Sequence, residues 1–79
     1  MATTSVNNIS VLPFNLESFK KGAKAINGLG QEVKFLTETR GKLFVVVKTR
    51  FGKESYDKME MDGRKYAGTE TNYDIYMVA

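Results

Sequence analysis

The chain has no cysteine, no histidine and no tryptophan, and its one proline is Pro13. Without His or Cys it lacks the commonest general base, the thiol nucleophile and the soft metal ligands. Disulfide and zinc staples, on which many small domains depend, are excluded with them. The longest apolar run, Leu43-Phe44-Val45-Val46-Val47, is of strand length. It falls far short of the roughly 18 residues of a membrane span. The opening segment MATTSVNNIS has neither a basic start nor an apolar stretch, so no secretory signal is expected. A lack of Cys fits a cytoplasmic location. These absences point to a binding protein that is not an enzyme, uses no metal or cofactor and makes no membrane contact.

Seventy-nine residues make one domain. A chain of this size buries only about 60–65% of its unfolded surface, so its core yields modest stability. With no staple, self-association into a homo-oligomer is expected. The charge is uneven. Residues 1–53 carry nine basic and three acidic side chains, whereas residues 54–79 carry three basic and six acidic. Such asymmetry either steers an anionic partner or provides complementarity within the fold.

The expected fold class is α+β: one short N-terminal helix, then five or six strands in a bent antiparallel meander or small open barrel. Residues 1–12 read as a flexible tail and 13–79 as the domain. Within the tail, Ile9, Val11 and Leu12 suit docking as a short extended segment. The helix is expected from Phe14 to Ala25, with Asn15 as its cap. Phe14 and Phe19 stand at hydrophobic-staple spacing, and Leu16 and Phe19 form the buried stripe. Gly22 is a natural stop.

Strands are expected over 32–38, 42–49, 55–61, 64–67 and 73–78. Asn27-Gly28, Arg40-Gly41 and Asp62-Gly63 mark turns between them. Val33 and Phe35 share a face, as do Asp57, Met59 and Met61, and as do Tyr73, Ile75 and Met77. The run 43–47 reads as buried on both faces.

The segment 40–53 holds five basic residues, Arg40, Lys42, Lys48, Arg50 and Lys53, and no acid. Phe51 sits at its turn. Basic side chains around an exposed ring hold phosphates and stack a base. The competing reading is a solvated hairpin whose lysines protect a sheet edge, with Phe51 folded onto the core. All four tyrosines lie in the second half. Tyr joins a rigid ring to a polar tip, which suits interfaces. Tyr56 and Tyr76 are the two expected to be exposed. The partner-binding set is therefore Lys42, Lys48, Arg50, Phe51, Lys53, Tyr56 and Tyr76. Gly28-Leu29-Gly30 reads as a turn, since no Lys-Ser/Thr follows it. The carboxylates read as surface charge, with Asp74 singled out as able to bond the preceding turn or a basic neighbour.

Several segments together resemble a group of small tailed-bacteriophage accessory proteins. They are the helix Phe14-Asn15-Leu16-Glu17, the strand Gly30-Gln31-Glu32-Val33-Lys34-Phe35, the turn Met61-Asp62-Gly63-Arg64 and the closing Tyr73-Asp74-Ile75-Tyr76-Met77. The chain differs from that pattern at Gly28-Leu29-Gly30-Gln31, where a basic-Asp-Gly turn is expected. The resemblance implies a phage accessory role in the host cytoplasm, such as counter-defence, and no defined activity. The partner is then a host protein or a small anionic, nucleotide-like molecule that the chain sequesters. A nucleic-acid module using the basic hairpin 40–53 is the alternative, and a virion or assembly component the third.

Overall fold

The computed structural model of the protein describes residues 4–6, 8–49 and 51–79. Arg40 and Gly41 both hold positive φ, 51° and 75°. Such a pair makes the two-residue turn whose twist matches that of flanking strands. It joins β4 (Glu32–Thr39) to β5 (Lys42–Lys48), with Thr39 opposite Lys42. The register then slips by one residue between Phe35 and Thr37. This bulge puts Leu36 half in solvent and sets Glu32 opposite Lys48. From β5 the chain turns into β6 (Glu54–Glu60), which pairs along its whole length.

The remaining strands are β1 (Thr4–Val6), β2 (Ile9–Leu12), β3 (Ala25–Asn27) and β7 (Ile75–Val78). All join one antiparallel sheet in the order β1-β2-β7-β3-β4-β5-β6. The sheet is open, with β1 and β6 at its edges. Among the described residues no pairing joins those edges, so the sheet does not close into a barrel. A plain meander is corrected, since β7 returns from the C-terminus to lie between β2 and β3. Residues 4–6 and 9–12, expected within a tail, supply β1 and β2.

The helix is shorter than expected and does not lead the chain. It is α1 (Leu16–Lys20), between β2 and β3. Asn15 caps it, its side chain accepting from Ser18 N at 3.0 Å. Gly22, at φ 94°, takes the left-handed turn that ends it, and Ala23 beyond is exposed. The Phe14 and Phe19 rings meet edge-on at 5.3 Å, and Phe19 meets Phe35 at 6.0 Å.

The core lies between α1 and one face of the sheet: Phe19, Ala25, Val33, Leu43, Val45, Met59, Ile75 and Met77. Leu12, Phe14, Leu16, Phe35, Val47 and Met61 pack around it. Strand alternation sends the other residues of β4, β5 and β6 to the opposite face. There Val46 and Phe44 are only half-buried. The run 43–47 is thus covered on one face alone, correcting the two-faced burial expected of it. The expected strand 64–67 reduces to one bridge between Tyr66 and Thr69. Tyr73 precedes β7 and is exposed, so it does not join Ile75 and Met77 in the core. Among the described residues no helix is long and apolar enough to cross a membrane.

Candidate functional site

The β3–β4 connection is built around one buried amide. Asn27 is 2% exposed. Its Oδ1 accepts from Leu29 N and Gln31 N, each at 3.0 Å, and its Nδ2 donates to Gln31 Oε1 at 2.9 Å. Such local bonds fix a turn by replacing the ladder bonds it lacks. Gly28 packs against the backbone of Asn72 so closely that a Cβ would lie 2.8 Å from its carbonyl oxygen. The apolar side chain of Leu29 is left turned out, 42% exposed.

The β5–β6 loop is closed by Thr49. Its carbonyl accepts from Gly52 N at 2.9 Å, its N donates to Lys53 O at 2.9 Å, and its Oγ1 accepts from Lys53 N at 3.2 Å. Gly52 supplies the positive φ, 80°. Phe51 stands at the tip with 89% of its surface exposed. The reading in which this ring folds onto the core is thereby overturned, because the loop is too tight to bring it back.

Pairing of Glu32 with Lys48 draws these two connections together at one end of the sheet. Between them, and against Ile9 of β2, opens a cleft of about 720 Å³. Its walls are Ile9, Leu29 and Phe51 on the apolar side, and Gln31, Lys48 and Thr49 on the polar side. Glu32 also borders it, but it lies 3.5 Å from Lys34 Nζ. Among the described residues, Lys48 has no carboxylate within ion-pair distance. The cleft thus combines an unsupported ring, an unpaired ammonium and amide and hydroxyl groups. That set can hold an anion and stack a planar group.

The expected partner-binding residues scatter around this cleft. Lys48 and Phe51 line it, and Lys53 is exposed on the same loop. Tyr56, 74% exposed, stands on the outer face of β6 opposite Val46. Lys42 lies at the far end of β5, paired with Glu60. Tyr76, expected to be exposed, is half-buried. It borders a separate hollow of about 310 Å³ with Pro13, Phe14 and Arg64. The tyrosines that are exposed beside Tyr56 are Tyr66 and Tyr73. Arg50 lies outside the described residues.

Sequence reasoning missed Ile9, Leu29 and Gln31. A signal for two of them existed. Counting back along β4 from the Arg40-Gly41 turn carries the Asn27-Gly28 turn to the Lys48 end of β5. Ile9 had no such signal, because β2 reaches the site only through its pairing with β7.

Asp74, singled out for a bond to the preceding turn, makes several. Its Oδ1 accepts from Lys65 N and Thr71 Oγ1, and its Oδ2 from Thr71 N. It is 5% exposed and organises the loop between β6 and β7. Among the described residues no three His, Cys, Asp or Glu side chains are grouped so as to hold a metal ion. Comparison of the chain with protein-family models, with curated proteins and with solved structures finds no match, which leaves the cleft as the footing for a functional reading.

Proposed function

We propose that this chain is a non-enzymatic binding protein that holds a small anionic, ring-bearing molecule of nucleotide type in the cleft beside Phe51. The carrying observation is Phe51 itself, an almost fully exposed ring on the wall of a cleft of about 720 Å³, next to Lys48. Such a volume lies within the range of small-molecule sites, about 300–1,000 Å³. An exposed Phe gains nothing for folding where it stands, and stacking a base on it is worth about 1–3 kcal/mol. Lys48 places positive charge where a phosphate would enter. The absence of His and Cys is in keeping with retention of the ligand without turnover. In the phage accessory role that the resemblance implies, this amounts to sequestration of a nucleotide signal in the host cytoplasm.

Isothermal titration with a panel of mononucleotides and cyclic dinucleotides tests the reading. At least one should bind, and Phe51→Ala should weaken it roughly 5- to 150-fold, the equivalent of that stacking energy. Lys48→Glu should abolish it. No heat with any member of the panel, or an affinity indifferent to both substitutions, would reject the cleft.

A further inference from the structure

The outer face of β4, β5 and β6 carries its side chains in rows set by the register. Glu32, Lys48 and Glu54 form one, Lys34, Val46 and Tyr56 the next, and Thr37, Phe44 and Lys58 the third. Successive rows lie about 7 Å apart, two residues along a strand. Nothing in the described fold covers this face, since α1 lies against the other. The first row opens directly into the cleft, through Lys48 and Glu32.

Two aromatic rings thus follow one another from the cleft along the sheet: Phe51, 89% exposed, and Tyr56, 74% exposed. Phe44, half-buried, lies diagonal to Tyr56 on the neighbouring strand. The charges beside them are sorted. Lys42 is held by Glu60 and Lys34 sits near Glu32. Among the described residues Lys48, Lys53 and Lys58 have no carboxylate within ion-pair distance, while Glu54 is the one acid of these rows without a cation. The apolar floor is made of Phe44 and Val46, with Leu36 exposed beside them at the bulge of β4, and ammonium groups stand within it. Cores of protein–protein interfaces are depleted of lysine. Sequence-tolerant sites for single strands pair stacking rings with a basic track.

We infer that the outer face of β4–β6 is a binding site for single-stranded nucleic acid, with bases stacked on Phe51 and Tyr56 and phosphates held by Lys48 and Lys58. This rests on the cleft reading only for its first base, at Phe51. The strand runs from the cleft across the sheet, which gives a second ring and a second cation to an oligonucleotide that a mononucleotide cannot use.

Fluorescence anisotropy with a labelled 12-nucleotide oligo-dT, beside titration with the mononucleotide panel, tests the inference. The 12-mer should bind at least tenfold more tightly than any mononucleotide. Its affinity should fall about sevenfold between 50 and 200 mM salt, as expected for the two phosphates of a single strand neutralised by Lys48 and Lys58. Tyr56→Ala should weaken the 12-mer at least fivefold while leaving mononucleotide affinity unchanged, and Lys58→Glu should flatten the salt dependence. Tyr56 is exposed, so a thermal melt equal to that of the parent checks that the variant is folded. A 12-mer bound no better than a mononucleotide, or one indifferent to Tyr56→Ala, overturns the inference and leaves the cleft standing. Equal affinity for the duplex form of the same oligonucleotide overturns it as well. Binding of the 12-mer without any mononucleotide binding supports the sheet site and rejects the cleft as a small-molecule pocket.

Discussion

Gly63 lies flat against the ring of Phe14: a Cβ added to it would fall 2.6 Å from the ring's Cγ. The same glycine holds φ at 83° and accepts at its carbonyl from Ile75 N at 2.8 Å. The Asp62-Gly63 turn therefore packs under the entry to α1 and also anchors the start of β7. Gly63→Ala should cost about 2–4 kcal/mol, combining left-handed strain with overpacking. Gly52, at φ 80°, has open space where its Cβ would go. Gly52→Ala should cost only the strain, about 1–2 kcal/mol. Urea denaturation of the two variants separates the terms, and equal losses would show that Phe14 moves aside freely.

A second prediction concerns Asp74. Its carboxylate gathers Lys65 N, Thr71 N and Thr71 Oγ1. Removing it leaves these donors without their acceptor in a part-buried setting. A hydrogen bond to a charged group contributes about 1.5–3 kcal/mol. Asp74→Ala should lower stability by about 2–4 kcal/mol and speed amide exchange at Lys65 and Thr71. Exchange at Val33 and Val45, in the central ladder, should change only through the global loss. Unchanged protection at Thr71 would mean that the loop is held by other contacts.

Local signals in the chain were legible and distant ones were not. Asn15 as a cap, the Phe14–Phe19 staple and the stop at Gly22 all act within a few residues, so spacing alone exposes them. The alternation that buries Met59 and turns Tyr56 outward is equally local. The position of β7 between β2 and β3 is different. It depends on pairing Ile26 with Tyr76 and Leu12 with Met77, across most of the chain. Periodicity says which face a residue takes and nothing about which strand lies beside it. For that reason nothing local in the sequence marks Tyr76 as half-buried or brings Ile9 to the cleft. Leu36 shows a third limit: a bulge shifts register by one residue, and no residue type in Phe35-Leu36-Thr37 announces it.

Lys65 guards the edge of the sheet. Its Nζ pairs with Asp57 Oδ1 and reaches Lys58 O at 3.4 Å, while Glu60 N donates to Arg64 O at 2.7 Å. The outward-facing backbone groups at the end of β6 are thereby occupied. An uncovered edge is a template for pairing with another chain. Lys65→Met keeps the aliphatic stem and removes the ammonium. It should cost only about 1 kcal/mol, since the pair is partly exposed to solvent. Its main effect should be self-association through β6, read as rising light scattering at high protein concentration. Scattering equal to that of the parent would show that the segment 61–65 covers the edge without this lysine.

The last prediction sets two phenylalanines against each other. Phe19 is 1% exposed, wedged between Phe14 and Phe35, and Phe51 is 89% exposed at a loop tip. Truncation of a buried Phe costs about 3–5 kcal/mol, whereas a surface substitution away from such packing changes stability by about 0.5 kcal/mol or less. A small domain is held by as little as about 5 kcal/mol. Phe19→Ala should therefore melt far below the parent or fail to fold, and Phe51→Ala should melt with it. The comparison also bears on function. A loop that retains a large ring without folding benefit keeps it for something outside the fold. If Phe51→Ala lowered the melting temperature as Phe19→Ala does, the ring would be packing against the protein in solution, and the cleft would lose the wall on which a base is to stack.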